Sequence, residues 1–205
     1  MPEMRLYHSA GTRSTRVLWT LEEIGVPYEI TVLTVEKRRG EQHRQRHPLG
    51  RVPVLELADG QTLFESAGIC LYLTDRYPSV GLAPLPDASD RPLLYQWLFF
   101  AMTELEPTLI RWMRARREGT DETEPAENYH ARRPVLQQAI ADREWLLGEQ
   151  FSIADIICAK VLSIARDHQL DMQDDAVSAY IRQALERPAH KRADAIGRES
   201  APPER

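Results

Sequence analysis

Three hydroxyl side chains stand close together near the start of the chain, in the segment Ser9-Ala10-Gly11-Thr12-Arg13-Ser14. Such a polar segment between an apolar run and a helical pattern predicts a turn whose hydroxyls and free backbone N–H groups gather at a helix N-terminus. The partial positive charge of a helix N-terminus favours an anion, so this turn could bind one. An ordinary helix cap by Thr12 or Ser14 explains the same residues, and local sequence leaves both interpretations open.

A second candidate segment, Gly50-Arg51-Val52-Pro53-Val54, places a proline at the beginning of an apolar run. A proline in this position cannot donate to a strand ladder. A cis Val52–Pro53 bond would turn the strand edge so that Val52 presents its N–H and C=O groups to a ligand. A trans proline on an edge strand is the alternative, and the residues do not decide between the two.

A third candidate segment is Phe64-Glu65-Ser66-Ala67. We expect Ser66 at the start of a helix that directly follows a strand, where its hydroxyl and the free N–H groups can accept a carboxylate. Glu65 offers a negative partner for an ammonium group. The two residues together would recognise the α-amino acid end of a ligand, whereas the alternative is that Ser66 only caps the helix.

Six basic residues between positions 37 and 51 would suit the anionic end of a ligand. They are Lys37, Arg38, Arg39, Arg44, Arg46 and Arg51. A solvated helix face explains most of them equally well.

A fifth pattern, Phe151-Ser152-Ile153-Ala154-Asp155-Ile156, is interpreted as structural. Ser152 at the N-cap and Asp155 three residues later form a variant of the capping box. Phe151 and Ile156 are spaced as a hydrophobic staple. We therefore expect Asp155 to stabilise a helix and not to catalyse a reaction.

The elements that position these residues begin with a βαβ unit. Residues 5–8 predict a short strand, and residues 28–33 predict a second one. Between them, apolar residues recur at helical spacing up to Gly25, which predicts a helix that ends there. A helical crossover between two strands makes them parallel.

The next segment completes a predicted β-α-β-α-β-β-α order within 78 residues. We expect one short, exposed helix in residues 38–47, a strand over 52–57, and an antiparallel return over 62–64 after the hairpin signal Asp59-Gly60. A helix over residues 66–77 ends the unit.

The rest of the chain predicts an all-helical domain. Residues 1–78 form the first predicted domain, the Pro-rich segment 79–90 a linker, and residues 91–205 the second domain. The expected helices cover 91–117, 125–147 with a break at Pro134, 152–168, and 174–186. Pro188 is expected to end the last of these, and residues 197–205 to be frayed.

Composition excludes several classes of protein. The net charge of −5 argues against general binding to nucleic acid. No apolar run approaches the length of a membrane span, and the start MPEMRLYHSA lacks the pattern of a secretory signal. The two cysteines, Cys70 and Cys158, exclude a disulfide framework and a Cys-rich zinc site, so we expect a cytoplasmic protein without a metal or a membrane partner.

Four segments, in this order and spacing, resemble a cytosolic glutathione transferase: LYHSAGTRSTRVLWTLEEIGVPYE, HPLGRVPVLELADG, LFESAGICLYL and LLGEQFSIADI. The resemblance extends over residues 4 to about 194. It implies a thioredoxin-like N-terminal domain, an all-helical C-terminal domain, a homodimer, and a cleft that takes glutathione on one side and an electrophile on the other.

The resemblance also implies roles for individual residues. Thr12 falls at the family's first-turn hydroxyl, where many relatives have serine in S-R-S-x-R; Ser14 and Ser9 are the alternatives. The glutathione-binding set that the resemblance implies is Arg39, Arg51, Val52, Pro53, Glu65 and Ser66. The turn contains no cysteine, which argues against the cysteine-type relatives. Tyr7 lies on the strand and is not assigned to catalysis.

For the second substrate, the resemblance places Ala10, Leu98, Met102, Leu109 and Trp112 near a small hydrophobic electrophile or peroxide. The implied function is activation of the glutathione thiol for attack on that electrophile, with glutathione as co-substrate and no permanently bound cofactor. A glutathione-dependent peroxide or disulfide reductase and a non-catalytic binding protein on the same fold are the alternatives.

Overall fold

The computed structural model describes residues 3–199. Contacts between Cα atoms divide the described chain into two compact units. The first unit comprises the residues up to Val80 together with those from Arg187 onward, and the second comprises Gly81–Glu186.

The first unit is built on a four-stranded mixed sheet. Its elements are β1 (Met4–His8), α1 (Ser14–Ile24), β2 (Glu29–Val32), α2 (Val35–Arg39), α3 (Glu41–Arg44), β3 (Val54–Leu57), β4 (Thr62–Phe64) and α4 (Ser66–Arg76). The strand order is β2-β1-β3-β4, with β1 parallel to β2 and both other pairs antiparallel. The predicted fold class is confirmed, with two short helices in place of the single one expected in residues 38–47.

Local sequence accounts for these elements. Leu6, Tyr7 and His8 are buried in the central strand β1. Gly25 ends α1 in the left-handed conformation at φ 75°, with its N–H donating to the Leu21 carbonyl. Glycine is suited to this position because it has no Cβ to clash with the following carbonyl oxygen.

The C-terminal helix α11 (Pro188–Glu199), which the sequence analysis did not predict, is grouped with the first unit. The helix predicted over 174–186 does end before Pro188, at Leu185, and Pro188 is also the first residue of α11. Proline fits that position because its missing N–H would have no helical partner there. The helix packs on α1: the guanidinium groups of Arg187 and Arg192 bind the carboxylates of Glu23 and Glu22 at 2.7 Å.

In the prediction, residues 188–199 fell in the second domain; the contacts group them with the first unit. The expected fraying of residues 200–205 lies outside the described residues, and residues 197–199 are helical. No helix within residues 3–199 is long and apolar enough to cross a membrane.

The second unit is helical, as expected. Its helices are α5 (Arg91–Phe99), α6 (Glu106–Glu118), α7 (Thr123–His130), α8 (Arg133–Ala139), α9 (Ile153–Asp167) and α10 (Ala176–Leu185). A π-helical segment, Phe100–Leu105, joins α5 to α6, so the predicted helix over 91–117 is continuous but changes its winding.

The predicted helix over 125–147 is too long at its C-terminal end. It breaks before Arg133, where Pro134 occupies the first turn of α8, and it ends at Ala139. The N–H of Leu146 cannot join a helix because it donates to the Asp155 carboxylate at 2.9 Å.

Asp155 stabilises the start of α9, as expected. The capping box with Ser152 is present in full. The Asp155 carboxylate also accepts hydrogen bonds from the Leu146 N–H and from the Tyr180 hydroxyl, at 2.9 and 3.0 Å. The side chain is completely buried and joins three segments of the second unit.

We expect Asp155→Ala to lower the free energy of unfolding by at least ~3 kcal/mol, because each buried donor that loses its acceptor costs about 1–3 kcal/mol. Urea unfolding followed by circular dichroism measures this change. Asp167→Ala, at the exposed end of the same helix, is the control and should change stability by less than ~0.5 kcal/mol. If Asp155→Ala does not fold, Ser152→Ala should still cost about 1 kcal/mol through loss of the cap. Equal urea midpoints for Asp155→Ala and Asp167→Ala would contradict the stabilising role assigned to Asp155.

Candidate functional site

Strand pairing brings the three candidate segments to one edge of the sheet. Tyr7 in β1 is paired with Val54 in β3, and Val54 is paired with Phe64 in β4. The turn after His8 therefore leaves the sheet next to Val52–Pro53, and Glu65–Ser66 leaves it on the other side of β3. Segments far apart in the sequence thus form one site in the first unit.

The turn between β1 and α1 contains a connected set of hydroxyl groups. The Thr12 hydroxyl donates to the Ser9 carbonyl at 2.7 Å and lies 2.8 Å from Ser14 Oγ. Ser14 Oγ accepts the Ser9 N–H at 3.1 Å and lies 2.8 Å from His8 Nδ1. A continuous path of hydrogen bonds therefore runs from a buried imidazole through Ser14 to Thr12.

Burial distinguishes the hydroxyls of this turn. Ser14 is completely buried, whereas Thr12 and Ser9 are half-buried. The N-cap residue of α1 is Arg13, whose side chain makes no capping hydrogen bond, and the Ser14 N–H donates to Thr12 Oγ1 at 3.3 Å. Thr12 is therefore better placed than Ser14 to meet a ligand, while it also supports the turn.

His8 was not recognised from the sequence. Its ring is completely buried, and burial lowers the pKa of His8 to about 4. Within residues 3–199, its Nε2 atom has no hydrogen-bond partner. The sequence offered only its position at the end of a strand, directly before the hydroxyl turn.

The Val52–Pro53 peptide bond is cis, which decides between the two interpretations that the sequence left open. Val52 is buried in a cluster with Tyr7 and Val54, against which Leu33 packs. Tyr7, which is not assigned to catalysis, donates a hydrogen bond from its hydroxyl to the Glu56 carboxylate.

Two histidines form hydrogen bonds with the backbone of the segment before Val52. His43 and His47 are buried. His43 Nε2 lies 2.8 Å from the Arg51 carbonyl, which only accepts, so the imidazole N–H donates to it. The Leu49 N–H donates to His47 Nδ1 at 3.2 Å. We expected this stretch to be exposed; the i, i+4 spacing of the histidines was the one signal that they share a helix face.

Gly50 is required where the segment passes over α2. Its φ is +60°, and a Cβ at this position would lie 2.7 Å from the Arg38 carbonyl oxygen. A side chain would therefore push the segment away from α2. The close approach brings Gly50 next to Arg39, so the two arginines expected to bind an anion, Arg39 and Arg51, come from adjoining stretches of backbone, and both are exposed.

The other basic residues have different roles. Arg46 lies 4.6 Å from the centre of the Tyr7 ring and 3.8 Å from the Glu56 carboxylate. Arg44 donates to the Arg39 carbonyl at 3.0 Å. These contacts are structural, so Arg44 and Arg46 are removed from the set of residues expected to bind an anion.

Glu65 has an unusual backbone conformation, with φ 75° and ψ 107°. A non-glycine residue pays roughly 1–2 kcal/mol for such a conformation, and strain of this kind concentrates at functional sites. Glu65 is exposed at the N-cap of α4, and its side chain makes no capping hydrogen bond.

Ser66 is buried at the first turn of α4. Its hydroxyl lies 3.4 Å from a guanidinium nitrogen of Arg16, a residue that is itself completely buried in α1. The site therefore contains a buried positive charge beside a helix N-terminus, which favours an anionic group. Arg16 was not recognised as a candidate, because it lies among the apolar residues whose spacing predicts α1.

The candidates for the second substrate lie in both units. Ala10 belongs to the turn of the first unit and is half-buried. In the second unit, Leu98, Leu109 and Trp112 are buried, while Met102 is half-buried in the π-helical segment. Trp112 also lines a groove of about 540 Å³, together with Ile110, Met113, Arg114, Arg116, Arg117 and His168.

Neither metal nor cysteine chemistry is indicated by the described side chains. Residues 3–199 contain no group of three or more His, Cys, Asp or Glu placed to bind a metal ion. Cys70 and Cys158 are buried and neither forms a disulfide, and burial raises the pKa of the Cys70 thiol to about 11.

Residues 12–76 match the family model described as "Glutathione S-transferase, N-terminal domain". The chain is 27% identical over 191 residues to glutathione S-transferase GstA of Escherichia coli O157:H7, a match that covers 90% of this chain and 94% of that protein. It is also 27% identical over 203 residues to glutathione S-transferase 3 of Schizosaccharomyces pombe, with 90% and 84% covered.

A solved structure shows the same likeness in three dimensions. The sphingomonad glutathione S-transferase complexed with glutathione superposes with a TM-score of 0.85 at 29% identity, over 94% of this chain and 98% of that chain. The likeness to glutathione transferases, in sequence and in fold, extends over nearly the whole chain.

Proposed function

We propose that the protein is a glutathione transferase that binds glutathione at the edge of its sheet and ionises the thiol for attack on a small hydrophobic electrophile. The observation that carries this proposal is the register Tyr7–Val54–Phe64, which gathers the hydroxyl turn, the cis Val52–Pro53 bond and the Glu65–Ser66 helix start.

Each part of glutathione has a chemically suitable partner at this edge. Val52 offers its backbone groups to the cysteinyl part, beside the cis bond to Pro53. The γ-glutamyl end carries both an ammonium and a carboxylate, which suit the exposed Glu65 carboxylate and the Ser66 helix N-terminus respectively. The glycyl carboxylate suits the guanidinium groups of Arg51 and Arg39.

The thiol can be activated without a general base. A free thiol has a pKa near ~8.5, and lowering it by about two units needs roughly 2.7 kcal/mol. A hydrogen bond from the Thr12 hydroxyl to the thiolate contributes about 1.5–3 kcal/mol, and the α1 N-terminus contributes ~0.3–1 kcal/mol. The two contributions together are sufficient.

The thiol proton leaves to solvent when glutathione binds. The thiolate sulfur then forms a bond to the electrophilic carbon, and the leaving group departs with its bonding electron pair. The enzyme contributes the position of the sulfur and the stabilised negative charge.

A glutathione-dependent reductase is the less well supported alternative, because disulfide chemistry favours a cysteine at the turn between β1 and α1. Thr12 occupies that position, and both cysteines of the chain are buried. Incubation with glutathione and a panel of aryl halides, epoxides and hydroperoxides, with analysis of products, distinguishes the alternatives. Conjugates support the proposal, glutathione disulfide alone indicates a reductase, and binding without turnover indicates a binding protein.

In the second unit, we propose Met102 and Trp112 as contacts of the second substrate. Met102 lies in the π-helical segment, an irregularity that is frequent at functional sites. Leu109 and Trp112 are both buried, at 2% and 3% exposed, but Trp112 lines the groove of about 540 Å³ and Leu109 does not.

We also propose a two-fold homodimer as the assembled form. Phe99 and Tyr95 are one helical turn apart on α5 and are 67% and 39% exposed. Light scattering at micromolar concentration should give the mass of two chains, and Phe99→Asp should shift the population towards monomer because it places a charge in an apolar contact. A monomeric parent protein would contradict this proposal.

Thr12 carries the proposed chemistry, and two substitutions isolate its hydroxyl. Thr12→Val keeps the shape of the side chain but removes the donor, and Thr12→Ser keeps the donor. At pH 7, Thr12→Val should lower kcat/KM about ten- to a hundredfold, since one pKa unit corresponds to ~1.36 kcal/mol. Thr12→Ser should stay within about threefold of the parent.

Ultraviolet titration of the bound thiolate gives the direct readout for these variants. Its pKa should rise in Thr12→Val and stay nearly unchanged in Thr12→Ser. Ser14→Ala and Ser9→Ala are further controls. An unchanged titration in Thr12→Val would show that another group activates the sulfur.

A substitution at Glu65 separates the effect on stability from the effect on glutathione binding. Glu65→Gly relieves the positive φ, so stability should remain within about 1 kcal/mol of the parent or increase. Loss of the carboxylate should weaken glutathione binding by about 1–3 kcal/mol. Calorimetry and thermal unfolding measure the two quantities.

Gln169 provides the matched control, since within residues 3–199 it is the only other non-glycine residue with a positive φ, at 63°. Gln169→Gly should give a similar change in stability and leave glutathione affinity unchanged. Equal affinities for the Glu65→Gly and Gln169→Gly variants would remove Glu65 from the binding site.

A further inference from the structure

The hydrogen bonds behind Thr12 have a direction, and the imidazole of His8 sets it. Ser14 Oγ has one proton to donate and two lone pairs to accept with. One lone pair accepts the Ser9 N–H at 3.1 Å. The remaining lone pair and the proton serve His8 Nδ1 and Thr12 Oγ1, which both lie 2.8 Å away. The Ser9 carbonyl is a more distant acceptor for the Ser14 hydroxyl, at 3.1 Å, and it already accepts the Thr12 hydroxyl at 2.7 Å.

Two arrangements of protons fit these distances. If Nδ1 carries no proton, Ser14 donates to it, and the 2.8 Å contact between Ser14 and Thr12 is attractive only when Thr12 donates back to Ser14. The Thr12 proton then points into the protein. If Nδ1 carries the proton, His8 donates to Ser14, Ser14 donates to Thr12, and the Thr12 proton points away from Ser14.

The surroundings of Nε2 favour the second arrangement. Within residues 3–199, buried Nε2 has no hydrogen-bond partner, and on the α11 side it faces Gly197, where a Cβ would lie 3.8 Å from it. A buried N–H without an acceptor is rarer and costlier than an acceptor without a donor. The single ring proton of neutral histidine therefore belongs on Nδ1. Burial, which lowers the pKa of His8 to about 4, keeps the ring neutral at pH 7.

We propose that His8 is a positioning residue: its Nδ1–H directs the Ser14 hydroxyl towards Thr12 and so leaves the Thr12 proton available to the sulfur of glutathione. Without ligand, that proton is donated to the Ser9 carbonyl at 2.7 Å, and a rotation about the C–O bond of Thr12 turns it to the sulfur. This inference rests on the proposed function for its consequence, but the direction of the hydrogen bonds stands on the protein alone.

The first test needs neither ligand nor activity. In protein labelled with nitrogen-15 at histidine, the chemical shifts of the imidazole nitrogens at pH 7 distinguish a protonated from an unprotonated nitrogen. Comparison with His8→Asn assigns the His8 signals. We expect a protonated Nδ1 and an unprotonated Nε2 in neutral His8. The opposite tautomer would overturn the proposal.

The second test uses two amides as matched variants. The amide nitrogen of His8→Asn is as many bonds from Cβ as Nδ1, and that of His8→Gln is as many bonds from Cβ as Nε2. His8→Asn should restore the donor to Ser14 and keep the pKa of bound glutathione within about 0.3 units of the parent. His8→Gln should raise this pKa by about one unit and lower kcat/KM about tenfold at pH 7.

The pH profile separates this effect from a general structural one. The loss of kcat/KM in His8→Gln should disappear at pH values above the pKa of the bound thiol. Glutathione affinity measured by calorimetry should change less than threefold. Equal pKa values in the two amide variants would overturn the proposal. A parent protein that does not bind glutathione would instead refute the proposed function, while the tautomer of His8 would still be decided by the first test.

Discussion

The antiparallel pairing of β3 with both β1 and β4 is the constraint on which the rest of the site depends. Tyr7, Val54 and Phe64 form one row across the sheet, so the chain enters or leaves the sheet at the same edge three times. Each crossing delivers a different chemical group: a hydroxyl turn, backbone polar groups beside a cis proline, and a helix N-terminus next to a carboxylate. No single segment carries all three groups, whereas the row places them together.

The same edge concentrates features that disfavour folding when considered locally. Glu65 adopts a positive φ, and Gly50 leaves no space for a side chain against the Arg38 carbonyl. Both features persist because neighbouring contacts hold the backbone in place, among them the hydrogen bond from His43 to the Arg51 carbonyl. Strain retained in this way at a binding edge provides groups that are already in position, which reduces the cost of ordering them when a ligand binds.

Beneath this surface lies a buried polar layer formed by His8, Ser14, Arg16 and Ser66. Buried polar groups are costly unless they are hydrogen-bonded, and within this layer Ser14 meets His8 and Ser66 meets Arg16. In the proposed arrangement, this layer sets the direction in which the Thr12 hydroxyl can donate. The charge of a bound thiolate would therefore meet dipoles that are already oriented, which is the general condition for electrostatic stabilisation.

The sequence by itself determined what depends on local patterns. Apolar periodicity and turn residues predicted the β-α-β-α-β-β-α order, and the spacing of Ser152 and Asp155 predicted the capping box of α9. Tertiary structure decided what depends on distant neighbours. His8 and His43 gave only a weak signal, because a histidine's role follows from what surrounds its ring. Helix α11 was missed because proline begins a helix as readily as it ends one. The cis state of Val52–Pro53, the conformation of Glu65 and the inward position of Ser14 were likewise open, since each is fixed by contacts between residues far apart in the chain.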